Sequence, residues 1–264
     1  DKNVVLSDTG TGKPMAVMKG HTGKVLKVMF HPTQDVVFSS STDKTVKVWK
    51  GGAMTQNITV HSADVTGISL HCTGDYFVSA SADKTWAFHD LTTGQCKQVV
   101  SDASVTAGYS TACFHPDGLI LGTGTMDNML RVWDVKSQAN VVKFQCHSGP
   151  VASLAFSENG YYLSTASTDG IKIWDLRKVA KQGADAQAVK HFEIPQAKSV
   201  AFDYSGTYFG VGAGGIVKVW HTKSWNEVVQ IQAHEKPIQD IAFGVDASFV
   251  TSCSLDSTAK ILTA

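Results

Sequence analysis

The sequence predicts an all-β chain, a β-propeller of repeated four-stranded units, and three observations carry that expectation. Apolar and polar residues alternate in short runs, which is the period of β-strands. Glycine, proline, aspartate and asparagine bound these runs, as turns require. The whole pattern then recurs along the chain at spacings of 40–46 residues.

The repeat is clearest at the residue closing the first strand of each unit. This is Phe30 in VLKVMFHP, Leu70 in VTGISLHC, Phe114 in YSTACFHP, Phe156 in VASLAFSE, Phe202 in AKSVAFDY and Phe243 in IQDIAFGV. Successive spacings are 40, 44, 42, 46 and 41 residues. A histidine precedes the strand in four units: His21, His61, His147 and His234. A turn follows it, written PTQD, CTGD, PDG, ENG or YSG. The second strand ends in small residues, as in VVFSSS, YFVSAS, ILGTGT and YYLSTAS. An aspartate makes the next turn, a third strand ends in VW or IWD, and a weaker fourth strand leads to the next histidine. No long stretch has helical periodicity. Four-stranded units repeated in this way are blades packed radially about a channel.

The first residues, DKNVVLSD, match DKTVKVWK from Asp43 and DKTWAFHD from Asp83. Residues 1–20 therefore read as the outer strands of an incomplete first blade, and residues 21–264 as six repeat units. The last unit stops on a third strand, DSTAKILTA. The expectation is a fragment of a longer protein, from a seven-bladed ring whose missing strands lie upstream of Asp1.

Composition narrows the function. Lysine plus arginine equals aspartate plus glutamate at 23 each, and the isoelectric point is near 7.3. A balanced chain argues against electrostatically dominated binding to nucleic acid or membrane. No apolar run reaches the length of a membrane span, and no signal-peptide pattern is present. The five cysteines, Cys72, Cys96, Cys113, Cys146 and Cys253, form no C-x-x-C pair. They read as buried thiols of a reducing compartment.

The period and grammar resemble the WD40 repeat, and that resemblance assigns a structural tetrad. In the first full unit it comprises His21, Ser39, Asp43 and Trp49. The aspartate would orient the histidine, the histidine would bond the serine, and the serine would accept the indole N–H. The second unit keeps His61, Ser79 and Asp83 but places His89 where tryptophan is expected. The fourth has His147, Thr165, Asp169 and Trp174, with one residue fewer before the tryptophan. The third keeps Thr123, Asp127 and Trp133 without an aligned histidine. The fifth keeps Trp220 and has Gly214 in place of the aspartate. The last keeps His234, Ser252 and Asp256, with Leu262 at the tryptophan place.

Four strings are more specific: FHPDGLILGTGTMDNMLRVWD, HSGPVASLAFSENGYYLSTAS, SADKTWAFHD and FDYSGTYFGVG. They resemble the C-terminal propeller of the pre-mRNA-processing factor nineteen family, over nearly the whole chain. The resemblance implies a parent with an N-terminal U-box and a tetramerising coiled coil, neither present here. It implies a nuclear ubiquitin ligase that scaffolds a spliceosome-associated complex and acts in the DNA-damage response. The implied partners are spliceosomal proteins and ubiquitination substrates, with no membrane, small-molecule substrate or cofactor.

Chemical readings of the same residues compete poorly. His, Ser and Asp suggest a hydrolase triad, but a triad occurs once and this constellation recurs. DTG at Asp8–Gly10 and GTGK at Gly10–Lys13 echo a protease motif and a phosphate loop. Neither precedes a helix, and both fall in a hairpin turn. His31, His71 and His115 fall one per unit, which does not suit a metal site. RKVAKQGADAQAVKH, from Arg177 to His191, reads as a solvated polar loop.

The resemblance also points to a partner-binding face. WD40 proteins commonly use the residues flanking the first apolar position of the inner strand, and the residue before the turn aspartate. Here these are Lys24, Leu26 and Thr42; Asp64, Thr66 and Ala82; Tyr109, Ser110 and Met126; Pro150, Ala152 and Thr168; and Lys198, Gln239 and Leu255. Tyr109 occupies a position usually held by a buried aliphatic. The mixture suits a protein surface. A direct nucleic-acid-binding propeller is the alternative, and it would need a basic stripe with interleaved aromatics.

Overall fold

The structure, a computed structural model, describes residues 1–263. It forms two compact units, Asp1–Phe114 and His115–Ala264. The architecture is that of a β-propeller, with five four-stranded sheets, one three-stranded sheet and one two-stranded sheet. Strands within each sheet are antiparallel and follow chain order outward from the inner strand.

The first unit begins with the two-stranded sheet, β1 (Asn3–Ser7) and β2 (Pro14–Lys19). Two four-stranded sheets follow. The first contains β3 (Val25–Phe30), β4 (Val36–Ser41), β5 (Val46–Lys50) and β6 (Ala53–Ile58). The second contains β7 (Val65–Leu70), β8 (Tyr76–Ser81), β9 (Thr85–Asp90) and β10 (Cys96–Ser101). The unit ends on β11 (Tyr109–Phe114), the first strand of the third sheet.

The second unit continues that sheet with β12 (Ile120–Thr125), β13 (Met129–Asp134) and β14 (Ala139–Gln145). The fourth sheet has β15 (Ser153–Phe156), β16 (Tyr162–Ser167), β17 (Gly170–Asp175) and β18 (Lys190–Phe192). The fifth has β19 (Ala197–Phe202), β20 (Tyr208–Ala213), β21 (Ile216–His221) and β22 (Asn226–Gln232). The last has β23 (Ile238–Phe243), β24 (Phe249–Ser254) and β25 (Ala259–Thr263).

The burial pattern explains the small residues that close each second strand. β4 is buried at every position, while β22 is exposed at all but one. A second strand lies between neighbouring sheets, so its side chains must leave room on both faces. A Cβ added at Gly122 would lie 3.0 Å from Phe156 Cζ, and one at Gly210 would lie 2.9 Å from Phe243 Cε2. The aromatic that defines the repeat is therefore seated on the small residue of the preceding sheet. Phe38 and Phe77, with centroids 5.0 Å apart, do equivalent work between the sheets of the first unit.

Two expectations change. The polar stretch after Asp175 is not simply a loop, because α1 (Leu176–Gln182) and a 3-10 turn (Gly183–Asp185) form there. Asp175 caps the helix by accepting the Arg177 N–H, and Val179 is buried. One apolar residue and one cap suffice for two turns, too little to produce a helical period. The cysteines also differ. Only Cys146 is buried, whereas Cys72 and Cys253 are exposed, and none of the five forms a disulfide among the described residues. Cys72 lies in the turn after β7 and Cys253 on the three-stranded sheet, where alternation turns it outward.

Candidate interaction surface

The first full sheet holds the tetrad side chains in one hydrogen-bonded row. His21 Nδ1 lies 2.7 Å from Asp43 Oδ2, and His21 Nε2 lies 2.8 Å from Ser39 Oγ. Trp49 Nε1 donates to the same hydroxyl at 2.8 Å. With aspartate accepting the Nδ1 proton, Nε2 is left as an acceptor, so Ser39 donates to it and accepts from the indole. Burial opposes ionisation of Asp43, but hydrogen bonds from Thr45, His21 and the Thr22 N–H outweigh it. The carboxyl is held well below its ordinary range.

The fourth sheet repeats this geometry. His147 Nδ1 is 2.6 Å from Asp169, its Nε2 is 2.7 Å from Thr165, and Trp174 donates to Thr165 at 2.9 Å. In the last sheet, His234 meets Asp256 at 2.9 Å and Ser252 at 2.8 Å.

The second sheet solves the missing tryptophan differently. His61 contacts Asp83 at 3.0 Å and Ser79 at 2.8 Å, and Ser79 contacts His89 Nε2 at 2.7 Å. By the same directionality His89 carries its proton on Nε2, where the indole N–H would be. Its ring stacks on Phe77 at 4.7 Å. Unlike an indole it retains a second nitrogen, Nδ1, which is buried with no hydrogen-bond partner. Burial, assisted by nearby His61, pushes the His89 pKa down to about 3.

The third and fifth sheets lack the histidine. In the third, the Thr125 hydroxyl donates to Asp127, and Arg131 reaches Thr125 at 3.2 Å and Asp127 at 3.8 Å. Arg131 is 2% exposed, and its charge stands near the carboxylate that histidine caps elsewhere. Strand register exposes a pattern absent from the sequence argument. Arg131 pairs with Thr123 as Lys47 does with Ser39, Lys172 with Thr165, Lys218 with Val211 and Lys260 with Ser252. A recurring cation two residues before the tryptophan place, in every full sheet but the second, where Ala87 stands, was its visible signal. Register also shifts one assignment. The two-residue turns Thr168–Asp169 and Gly214–Gly215 correspond, so Gly215, not Gly214, stands at the aspartate place. Trp220 is held by packing instead, with Phe192 at 5.2 Å and Phe209 at 6.2 Å.

A second missed feature is the threonine two residues after the aspartate. Thr45, Thr85 and Thr258 each donate to it at 2.6 Å. The D-x-T string carries this signal.

The row cannot act as a hydrolytic centre. Ser39, Ser79 and Thr165 are wholly buried, and each hydroxyl is bonded on both sides. No substrate reaches the oxygen, and its proton and lone pair are engaged. Among the described residues, no group of three His, Cys, Asp or Glu side chains could hold a metal ion, and no helix is long and apolar enough to cross a membrane. His31 and His115 serve the packing of turns, reaching Gly74 O at 3.2 Å and Gly160 O at 3.0 Å. His71 bonds within its own turn, 3.0 Å from Thr73, and its ring packs edge-on against Phe114 at 5.2 Å.

What the row does is fix the turns above it. In the first unit, Lys24 N–H donates to Thr42 Oγ1 at 2.8 Å, and Ala82 N–H donates to Asp64 O at 2.9 Å. Thr66 Oγ1 donates to Tyr109 O at 2.8 Å. Lys24 and Leu26 are exposed, while Thr42, Asp64, Thr66, Ala82 and Ser110 are half-buried. Tyr109 is fully buried, so it is removed from the exposed face. The innermost position of β11 is a core position, and the aromatic ring occupies it as an aliphatic would. In the second unit Met126, Pro150, Thr168, Lys198 and Leu255 are exposed, and Ala152 and Gln239 are half-buried. Leu255 is 58% and Met126 44% exposed, a high value for apolar side chains on ordered turns.

Five stretches match the WD domain, G-beta repeat family: residues 12–50, 52–90, 94–134, 138–175 and 225–262. The unmatched interval before the last match contains α1 and most of the fifth sheet, where the histidine and aspartate are absent. Along nearly its whole length the chain is similar to Pre-mRNA-processing factor 19 of Mus musculus. The identity is 45% over 262 residues, covering 98% of this chain and 51% of that protein. It is 42% identical over 272 residues to Pre-mRNA-processing factor 19 homolog 2 of Arabidopsis thaliana, covering 99% of this chain and 50% of that protein. The Caenorhabditis elegans Pre-mRNA-processing factor 19 is 42% identical over 265 residues, covering 99% of this chain and 53% of that protein. The chain spans about half the length of the curated relatives it matches.

Proposed function

This chain belongs to the WD domain, G-beta repeat family, and from that premise we propose that it is the partner-binding propeller of a nuclear pre-mRNA splicing factor. The observation that carries the reading is its similarity, across nearly all of its length, to proteins named for pre-mRNA processing. The buried, doubly bonded hydroxyls support binding rather than chemistry. The tetrads stiffen the turns, and rigid turns reduce the ordering cost of association.

Its partners are spliceosomal proteins. We further propose, from the resemblance of its sequence strings to that family, that the whole protein is a U-box ubiquitin ligase, tetrameric through a coiled coil, that also acts in DNA repair. This chain would then deliver substrates to a catalytic module outside it. The proposed binding turns are those carrying Lys24 and Asp64 in the first unit and those carrying Met126, Thr168, Lys198 and Leu255 in the second. The test is capture from nuclease-treated nuclear extract, with the wild-type chain beside a Lys24→Glu/Asp64→Lys/Lys198→Glu variant. Spliceosomal proteins retained by the wild type and lost by the variant are expected. Equal retention moves the site elsewhere on the chain, and no spliceosomal protein on either bait overturns the reading.

A further inference from the structure

Two connections of the second unit, each leading from the fourth strand of one sheet to the first strand of the next, share a string that the first unit lacks. They read QCHSGP (Gln145–Pro150) and QAHEKP (Gln232–Pro237). The histidine of each belongs to a tetrad, and the proline of each is exposed. The corresponding strings of the first unit, KGHTGK and TVHSAD, keep only the histidine.

The same side chains hold both connections. Gln145 Nε2 donates to the His147 carbonyl at 3.2 Å, and Gln232 Nε2 donates to the His234 carbonyl at 2.7 Å. Lys172 Nζ donates to the Cys146 carbonyl at 2.8 Å, and Lys260 Nζ donates to the Ala233 carbonyl. Cys146, His147, Ala233 and His234 are all buried, where a carbonyl without a donor is costly. At the far end, Ser167 Oγ donates to the Pro150 carbonyl at 2.9 Å, and Ser254 Oγ donates to the Pro237 carbonyl at 3.2 Å.

Both lysines stand two residues before the tryptophan place, paired with Thr165 and Ser252 of the tetrads. In the first unit that place does other work. Lys47 Nζ donates to Asn57 Oδ1 at 2.6 Å, and the second sheet has Ala87 there. In the fifth sheet, which has no tetrad histidine, Lys218 reaches Glu227 at 3.2 Å. Lys172 also lies 3.9 Å from Asp169, the carboxylate that orients His147. Its ammonium therefore meets both the carbonyl before the histidine and the acid that bonds the ring. Burial and then Lys172 oppose protonation of His147, and Asp169 favours it. His191 reaches only the Asp169 carbonyl, at 3.3 Å.

We propose that Lys172 and Lys260, each with the glutamine of its connection, are positioning residues that lock Gln145–Pro150 and Gln232–Pro237 into one preformed shape. The lysine bonds are charge-assisted, and so stronger than bonds between neutral groups. The lock fixes Pro150 beside Thr168 and Pro237 beside Leu255. A Cβ added at Gly149 would lie 2.5 Å from Thr168 Oγ1, and the Leu255 N–H donates to the Pro237 carbonyl at 3.1 Å. A preformed turn spares part of the ordering cost of association. This deepens the reading of these turns as a binding face, on which it rests only for their use. The lock itself is tested on the free chain, so either can fail without the other.

The test is hydrogen exchange by mass spectrometry on the whole chain, wild type beside Lys172→Met, Lys172→Arg and Gln145→Leu, with an NMR titration of His147. Methionine keeps the apolar stem and removes the charge. Arginine is native at this place in the third sheet, as Arg131. Gln145 is exposed, so its variant keeps the test decisive if the methionine variant fails to fold. Exchange in peptides covering residues 146–151 should rise about tenfold in Lys172→Met and about threefold in Gln145→Leu. It should stay at the wild-type rate in Lys172→Arg. Thr22–Val25 and Ser62–Val65, whose connections lack the lysine and glutamine bonds, should not change in any variant. The His147 midpoint should rise in Lys172→Met, which loses a facing cation, and not in Gln145→Leu. Unchanged exchange at 146–151 in the methionine or the leucine variant, or a rise shared by Thr22–Val25, would overturn the proposal. So would an arginine variant as fast as the methionine one, or a His147 midpoint that Lys172→Met does not move.

Discussion

Replacing His89 with phenylalanine should remove an acid-sensitive weakness from the second sheet. The imidazole is buried against Phe77 with Nδ1 unpartnered, and burial holds its pKa near 3. In the unfolded chain the same group titrates near 6.5. Above pH ~6.5 both states are neutral there, and the group contributes no pH dependence. As pH falls below that value the unfolded state takes up a proton that the folded state refuses. Stability is lost progressively until the folded group titrates. Between pH 7 and pH 5 the loss from this residue is about 2 kcal/mol. Phenylalanine keeps the ring stack and abolishes the titration. It also loses the Ser79 bond, a cost of about 0.5–1.5 kcal/mol at neutral pH, partly offset because the buried Nδ1 disappears. Urea unfolding followed by tryptophan fluorescence, at pH 7 and pH 5 for both proteins, isolates the effect because the other histidines are common to both. The stability difference, variant minus wild type, should rise by about 2 kcal/mol on acidification. An unchanged difference would refute the account of His89 as a neutral stand-in for the indole.

Three further outcomes follow from the packing. Ser39→Ala leaves the buried His21 and Trp49 without their shared partner, and urea unfolding should report a loss of about 2–4 kcal/mol. Gly108→Ala would put a Cβ 2.4 Å from Ala82 Cα, backbone that cannot step aside, so thermal unfolding should show destabilisation of about 1–3 kcal/mol. In native protein at pH 8, a thiol reagent should label exposed Cys72 and Cys253 first. Cys146, its thiol pushed up to about 12 by burial, should react only on unfolding, as peptide mapping by mass spectrometry would show.

The repeat made most of the fold legible, because each blade needs the same apolar alternation and the same small residues under the next aromatic. The exceptions have local causes. The helix after Asp175 rests on one cap and one buried valine, which no window of periodicity registers. The cation on every complete third strand but the second sheet's, where Ala87 stands, gained its meaning through register, since Lys47, Arg131 and Lys172 each pair with the serine or threonine place of the second strand. The binding face was legible only as positions. Exposure separated Tyr109, which fills a core site, from Leu255 and Met126, which do not.

The most direct test of the central claim is hydrogen-exchange protection of this chain in complex with a captured spliceosomal partner. The account predicts protection in peptides containing Lys24–Leu26, Asp64–Thr66, Met126, Thr168 and Leu255, the turns proposed to bind. Protection absent from all of these, and confined to the outer strands, would contradict it.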